Sequence, residues 1–520
     1  MAKFNTTATW PAKGNGPIAA ESTPSTLTHE GAPGYVRDVK SELFLLAVSN
    51  MVGEDTFYER ATDRDARYEA LVRQATAEDS EWTSRLLAWL RTDGNMRSAP
   101  LVGAAAFAHE RLKRGEAGMS RQVIASVLQR ADEPGELLAY WTSRFGRAIP
   151  KPVKRGIADA IGRLYNEYAL LKYDTDSKGF RFADVIDLVH PDAVAPWQGE
   201  LFRYALDRRH GRGGEITGLP MVDARMLMRS RALGDEPQAL LDAEALKRAG
   251  MTWEDALSLA GDRVDKAKLW EAVIPSMGYM ALLRNLRNFD EAGVSDAVAE
   301  QVAARLADPQ QVVRSRQFPF RFLAAYENAP SLRWGHALDK ALSASLANVP
   351  RLDGKTLVLI DTSASMTSMS FSARSKMGPA KAAAVFGVVL AIRCGADLYG
   401  FADDAFRHDV PKGASALKEI GRFLSRTGEV GHGTQIAASL RRTWNGHDRV
   451  FLVSDMQTMD SGATSAVPPS VALYGFNLGG YRPAAFSAGA PNRTEFGGLT
   501  DATFRMIPLI EAGRHANWPF

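Results

Sequence analysis

The stretch LVLIDTSASM, residues 357–366, carries one acid and two hydroxyls at two-residue steps: Asp361, Ser363 and Ser365. Four apolar residues lead into Asp361, the pattern of a strand buried on both faces that runs out into a loop. A second apolar run, VFLVSD, ends in Asp455. Between the two lies a glycine-rich loop, GHGTQIAASL, which places Thr434 at a helix start. In an open parallel sheet, the loops beyond the carboxyl ends of the strands meet in one crevice. There these five residues would offer two carboxylates and three neutral hydroxyls, all hard oxygens. Such a set suits a small divalent cation, most naturally magnesium, which keeps waters and uses few carboxylates. The low ligand charge leaves the ion electron-poor and open to one more oxygen from a partner or from solvent. The competing reading of the serines is helix capping, which gives Asp455 and Thr434 no role.

Other chemistries fit less well. An aspartyl-phosphate phosphatase wants a second acid two residues after the first, and Ser363 stands there. Neither GxxxxGK[ST] nor GxSxG is found. His432, beside the metal loop, reads as solvent-facing. With no nucleophile paired with a base, the chain is expected to be non-catalytic.

The elements that position these residues follow from periodicity. After Pro350, TLVLID, ADLYGFA, RVFLVSD and VALYGFN read as strands. KAAAVFGVVLAIRC, SALKEIGRFLSR and TQIAASLRRTWN read as the helices between them. That alternation predicts a doubly wound α/β domain over residues 348–520. Residues 31–347 read as helix after helix, as in KRGIADAIGRLYNEYALLKY. There Ile157, Ile161, Leu164, Tyr168 and Leu171 form one amphipathic face. Some fifteen such helices with short connections imply stacked helical pairs. Residues 1–30 read as a flexible tail.

The 520 residues are 45% hydrophobic and 24% charged, ordinary for a soluble multidomain protein. No run is long and apolar enough for a membrane span, and no secretory signal opens the chain. A single cysteine, Cys394, excludes an internal disulfide framework and fits a reducing cytoplasm. The net charge of +3 is too small to bind nucleic acid in bulk, so local patches would have to do it.

Two family resemblances emerge from these motifs. DTSAS, with Thr434 and Asp455 following in order, resembles the von Willebrand factor A domain, whose metal-ion-dependent adhesion site these positions match. GYVRDVKSELFLLAVSNMVGEDTFYE, GRAIPKPVKRGIADAIGRLYNEY, FADVIDLVHP and LWEAVIPSMGYMALLRNLRN resemble, in order, the TROVE domain of the Ro ribonucleoproteins. An A domain directly afterwards completes the Ro architecture. The resemblance implies a ring of HEAT-like helical repeats closed by the A domain. It implies single-stranded 3′ ends of misfolded small RNAs held in the hole, and Y RNA on the rim. It further implies a cytoplasmic role in RNA quality control beside an exoribonuclease, here as a monomer. The alternative is a protein-binding scaffold whose metal site holds an acidic partner residue.

Several basic clusters could grip RNA. Arg144, Arg147, Lys151, Lys154, Arg155 and Arg163 form one, with Asp159 the only acid among them. Arg203, Arg208, Arg209, His210 and Arg212 form a second, Arg225, Arg229 and Arg231 a third, and Arg284 with Arg287 a fourth. Arginine forks onto phosphate and stacks on unpaired bases, although any one such cluster can equally be a solvated helix face. Lys172 and His190 match family positions that contact Y RNA; His190 also reads as a buried, hydrogen-bonded histidine. Asp174 and Asp176 stand where Ro proteins are usually basic. With Asp184 and Asp187, they are expected to weaken Y RNA binding by repulsion.

Overall fold

A computed structural model of the chain describes residues 14–49, 52–212, 216–317, 319–345, 352–368, 370–371, 377–498 and 501–520. The chain divides into two compact units. One is Thr76–Gln317 with Ala325–Ala341. The other gathers Met1–Ala75, Phe318–Ala324 and Leu342–Phe520. The division therefore departs from a helical domain starting at residue 31, because the first helices belong with the sheet.

That sheet-bearing unit opens with a short antiparallel pair, β1 (Thr26–Leu27) and β2 (Pro33–Gly34). Its main sheet holds β3 (Thr356–Asp361), β4 (Asp397–Phe401), β5 (Ala405–His408), β6 (Arg449–Ser454), β7 (Ala472–Asn477) and β8 (Arg493–Gly497). The strand order is β5-β4-β3-β6-β7-β8. All neighbours are parallel except the edge hairpin β4–β5. Every residue of β3 and β6 is buried, as a strand covered on both faces requires. Leu357 and Leu359 face a core shared with Val450, Leu452, Ile436 and Leu440. Helix Pro379–Cys394 packs against β3.

Residues 14–30, expected to be a flexible tail, are instead ordered against this unit; residues 1–13 lie outside the described residues. Ile18 is buried, and the Thr28 hydroxyl donates to Thr458 O at 2.7 Å. Arg37 then locks the segment down. Its guanidinium forms a buried pair with Glu495 of β8 and donates to Tyr481 O and Arg482 O. Such a pair holds only because its remaining hydrogen bonds are also met. Helix Val39–Ser49 lies on β8.

The second unit is helical throughout its described residues. Helix Ser120–Val127 packs against both Ser98–Lys113 and Lys151–Leu164. The last crossing is close: a Cβ on Gly156 would lie 2.6 Å from Arg121 O and 2.8 Å from Ile124 Cβ. Only glycine permits it. LWEAVIPSMGYMALLRNLRNF folds as two helices, Lys266–Val273 and Tyr279–Ala292, with a 3₁₀ turn around Pro275 between them. Arg91 and Glu133 form a buried pair at 2.8 Å. The helical array also meets itself. Arg316 Nη1 donates to Thr92 O at 2.5 Å, and Asn95 Nδ2 donates to Arg316 O at 3.3 Å.

Candidate functional site

Strands β3 and β6 are neighbours, and β3 also pairs with β4 on its other side. Successive connections leave the sheet in opposite directions here, so the loops after β3 and β6 part and leave a crevice. Asp361 ends β3, and Asp455 follows the last residue of β6. The Ser363 backbone donates to Asp361 Oδ1 at 2.9 Å, and Ser454 Oγ donates to Asp361 Oδ2 at 2.5 Å. Ser363 and Ser365 hydroxyls are 3.2 Å apart. The loop carrying Thr434 joins them through a bond from Ala364 N to His432 O at 2.9 Å. Asp403 shapes this loop by accepting from His432 N and Gly433 N. A Cβ on Gly433 would sit 2.2 Å from Asp403 Oδ1, so a larger residue would push the Asp403 carboxylate off this loop. Thr434 lies one residue ahead of the N-cap, Gln435, and its carbonyl accepts from Met459 N and Thr458 Oγ1. His432 is exposed, as expected. The five expected ligands thus come from three loops that meet, and all five side chains are buried.

The electrostatics ask for a cation. Burial pushes the Asp361 carboxyl up, against the pull of Ser363 and Ser454. Burial raises Asp455 as well, and the charge of Asp361 raises it further; Ser365 offsets only part of this. Asp455 Oδ1 accepts from Gln457 N, but Oδ2 is buried with no hydrogen-bond partner. A buried carboxylate oxygen left unpaired is costly. A hard divalent ion would satisfy it, and the donor set fits one. Among the described residues, no three of His, Cys, Asp and Glu converge tightly enough to hold an ion alone. Any ion held here would have to draw on the hydroxyls as well as the two carboxylates. A cavity of about 40 Å³, lined by Ser365, Asp455, Asp55, Thr56 and Tyr481, opens beside them. That is room for an ion with a water or two.

Three residues that sequence reasoning missed stand over the site: Glu30, Tyr58 and Tyr481. The Tyr58 hydroxyl donates to Glu30 and also interacts with Ser365. Burial, then the Glu30 carboxylate, raises the Tyr58 phenol, so it stays a donor. Tyr481 is pushed up to about 12 by burial and by Asp455. These side chains come from distant parts of the chain, and no local pattern marks them.

The basic residues divide sharply. Arg163 donates to Ala125 O and Leu128 O, closing the end of another helix. Arg225 is buried on Ala249 O, Gly250 O and Asp255. Arg203 pairs with Glu200, Arg209 with Asp184, Arg231 with Glu236 and Arg287 with Glu291. Arg208 reaches Asp174 O at 3.4 Å. Arg147, Lys151, Lys154, Arg155 and Arg284 have no ion pair among the described residues, and only Lys154 of these is not fully exposed. Lys172 is exposed and lies over the rings of Tyr168 and Tyr173. His190 is exposed, not buried; it ends its helix in a left-handed turn, φ 51°. Asp174 corrects another expectation. It is 5% exposed, accepts from Phe182 N at 2.9 Å and pairs with Arg181 at 2.8 Å. Its charge is paired with Arg181 inside the fold.

Comparison with known proteins agrees with this anatomy. Residues 244–337 match the TROVE domain model. Mouse telomerase protein component 1 is 46% identical over 83 residues, 16% of this chain and 3% of that protein. The RNA-binding protein RO60 of Deinococcus radiodurans is 25% identical over 311 residues, 51% of this chain and 55% of that one. The chain thus spans at most about half the length of these curated relatives. The crystal structure of the Deinococcus radiodurans RO (RSR) protein superposes with a TM-score of 0.62 at 18% identity, covering 92% of this chain and all of that one. Residues 244–337 are thus similar to a TROVE domain, in a chain whose helices accompany a doubly wound α/β domain. Its fold is similar to that of the Deinococcus RO (RSR) protein.

Proposed function

We propose that the chain is a non-catalytic RNA-binding protein. The cluster Arg147, Lys151, Lys154 and Arg155 carries the reading. It surrounds the start of helix Lys151–Leu164, where the first turn has no acid and no side-chain cap. The helix dipole makes that end unfavourable for cations. Cations gathered at a helix start, with no ion-pair partners among the described residues, make a phosphate site. A TROVE domain and the RNA-binding name of the Deinococcus relative support this reading.

The finer reading is that the ligands are single-stranded ends of misfolded small noncoding RNAs, held within the helical array. Y-like RNA contacts the surface that carries Lys172 and His190. The setting is cytoplasmic RNA quality control or processing, with an exoribonuclease partner and a monomeric Ro-type chain. The α/β unit holds a magnesium-type ion on Asp361, Ser363, Ser365, Thr434 and Asp455. The test is binding of a labelled RNA with a single-stranded 3′ tail at low salt. Replacing Lys151, Lys154 and Arg155 by alanine should weaken it on the order of tenfold or more. Unchanged affinity would overturn the assignment of this cluster.

A further inference from the structure

An N-terminal turn of this chain lies beside the candidate metal site, hydrogen-bonded to the loop that follows β6. Thr28 to Gly31 form a tight turn, with Gly31 N donating to Thr28 O at 3.0 Å and Gly31 at φ 92°. The turn is bolted to the loop that begins with Asp455. Thr28 Oγ1 donates to Thr458 O, and His29 N donates to Gln457 Oε1 at 2.9 Å. Gln457 is the residue whose backbone N–H binds Asp455 Oδ1. Glu30 follows in the turn and accepts from the Tyr58 hydroxyl. The Tyr58 ring is stacked on His29 at 4.8 Å and lies edge-on to Tyr481 at 5.3 Å. Its hydroxyl also interacts with the expected ligand Ser365. The charge of Glu30 is felt at both Asp361 and Asp455. The turn thus brings a third acid beside the loops of two buried carboxylates, and a positive charge there would offset their mutual repulsion.

We propose that Glu30, set by Tyr58, completes the metal site by accepting a hydrogen bond from a metal-bound water. It thereby closes the position that an outside carboxylate would take. This rests on the reading of Asp361, Ser363, Ser365, Thr434 and Asp455 as a magnesium-type site. Contact through water follows from two facts. Magnesium gives up its waters reluctantly, and no third acid among the described residues stands close enough to ligate directly. Groups that hydrogen-bond to a metal's own ligands typically govern affinity by roughly 10–100-fold. The site is then self-contained, a structural centre that ties the N-terminal segment to the sheet, and a poor receptor for an acidic partner.

Calorimetric titration of the full chain with Mg²⁺ tests this, alongside water-proton relaxation of bound Mn²⁺ with acetate as the probe ligand. The wild type should bind one ion and show no displacement of water by acetate. Glu30→Gln should lose on the order of tenfold in affinity and admit acetate to the ion. Tyr58→Phe, which keeps the ring, should shift both readouts the same way by less. Asp455→Ala should abolish binding, which checks the site itself. If Asp455→Ala abolishes binding while Glu30→Gln and Tyr58→Phe match the wild type, the ion site stands and the role of Glu30 is overturned. If the wild type binds no ion, the underlying site fails and the proposal fails with it.

Discussion

Ser454 donates its hydroxyl to Asp361 across two neighbouring parallel strands, at 2.5 Å in the buried floor of the crevice. With the Ser363 N–H on the other oxygen, this bond sets the rotation of the carboxylate. Ser454 is not itself an expected ligand. Ser454→Ala should nonetheless lower Mg²⁺ affinity on the order of tenfold, read by titration calorimetry. It should also cost about 1–3 kcal/mol of stability by leaving the acid underbonded, read by urea unfolding.

Asp455→Asn separates charge from shape. Asp455 is raised by burial and by Asp361, so the metal-free site carries repulsion that an amide relieves. In EDTA, the variant should unfold at a higher temperature than the wild type. On adding magnesium the order should reverse, because only the wild type gains binding energy. That gain is about 2.7 kcal/mol at roughly 100 times Kd. Thermal scans with and without Mg²⁺ read both arms.

The position of the crevice loops was legible because their logic is local: a buried strand, its last acid, and hydroxyls in the next turn. Asp361, Ser363, Ser365 and Asp455 all obey it, and Thr434 misses the N-cap by one residue. Strand β8 was not legible. Its sequence RTEFG looks polar, yet Arg493 is buried on the carbonyls of Thr464, Val467 and Val471. Glu495 is buried on Arg37 and Asn477. Hydropathy counts such residues as surface because their partners are distant in sequence. The same holds for Arg163 and Arg225, which composition assigns to RNA and geometry assigns to backbone carbonyls. The ordering of residues 14–30 was hidden for a related reason: its anchors, Thr458 and Gln457, lie at the other end of the chain.

The two acids near Lys172 should behave oppositely. Asp174 is buried on Arg181, whereas the Asp176 side chain is 92% exposed. Asp174→Asn should destabilise by about 3 kcal/mol, because it strips a buried pair of one partner. Asp176→Asn should change stability by less than about 0.5 kcal/mol. It should modestly strengthen RNA binding at low salt by removing a repelling charge. Urea unfolding and filter binding on both variants check the pair.

Asp132 gives the helical unit a pH signature. Burial pushes its carboxyl up, but Arg130, with Arg97 and Lys178, overrides this and holds it at about 2, against an ordinary 3.8. The depressed carboxylate stabilises the fold above its unfolded value, and that contribution is lost as pH falls from about 5 toward 2. The shift corresponds to about 2 kcal/mol. Asp132→Asn should therefore cost about that much at neutral pH. The difference from wild type should shrink steadily below about pH 4 and vanish near about pH 1. A constant difference across that range would mean that packing, not charge, is what Asp132 contributes.

The cationic turn at Lys151 predicts two effects of opposite sign in one variant. Lys151→Ala/Lys154→Ala removes two positive charges from the beginning of helix Lys151–Leu164. The dipole there disfavours cations, so unfolding should show the variant as stable as wild type or more stable, by a few tenths of a kcal/mol per charge. Single-stranded RNA binding should weaken. Its log–log dependence on salt should flatten by about 0.7 for each phosphate no longer neutralised, or about 1.4 in all. Residues kept for folding would show destabilisation with an unchanged salt slope. Residues kept for phosphate show the reverse, and it is the reverse that the absence of ion-pair partners among the described residues leads us to expect at this turn.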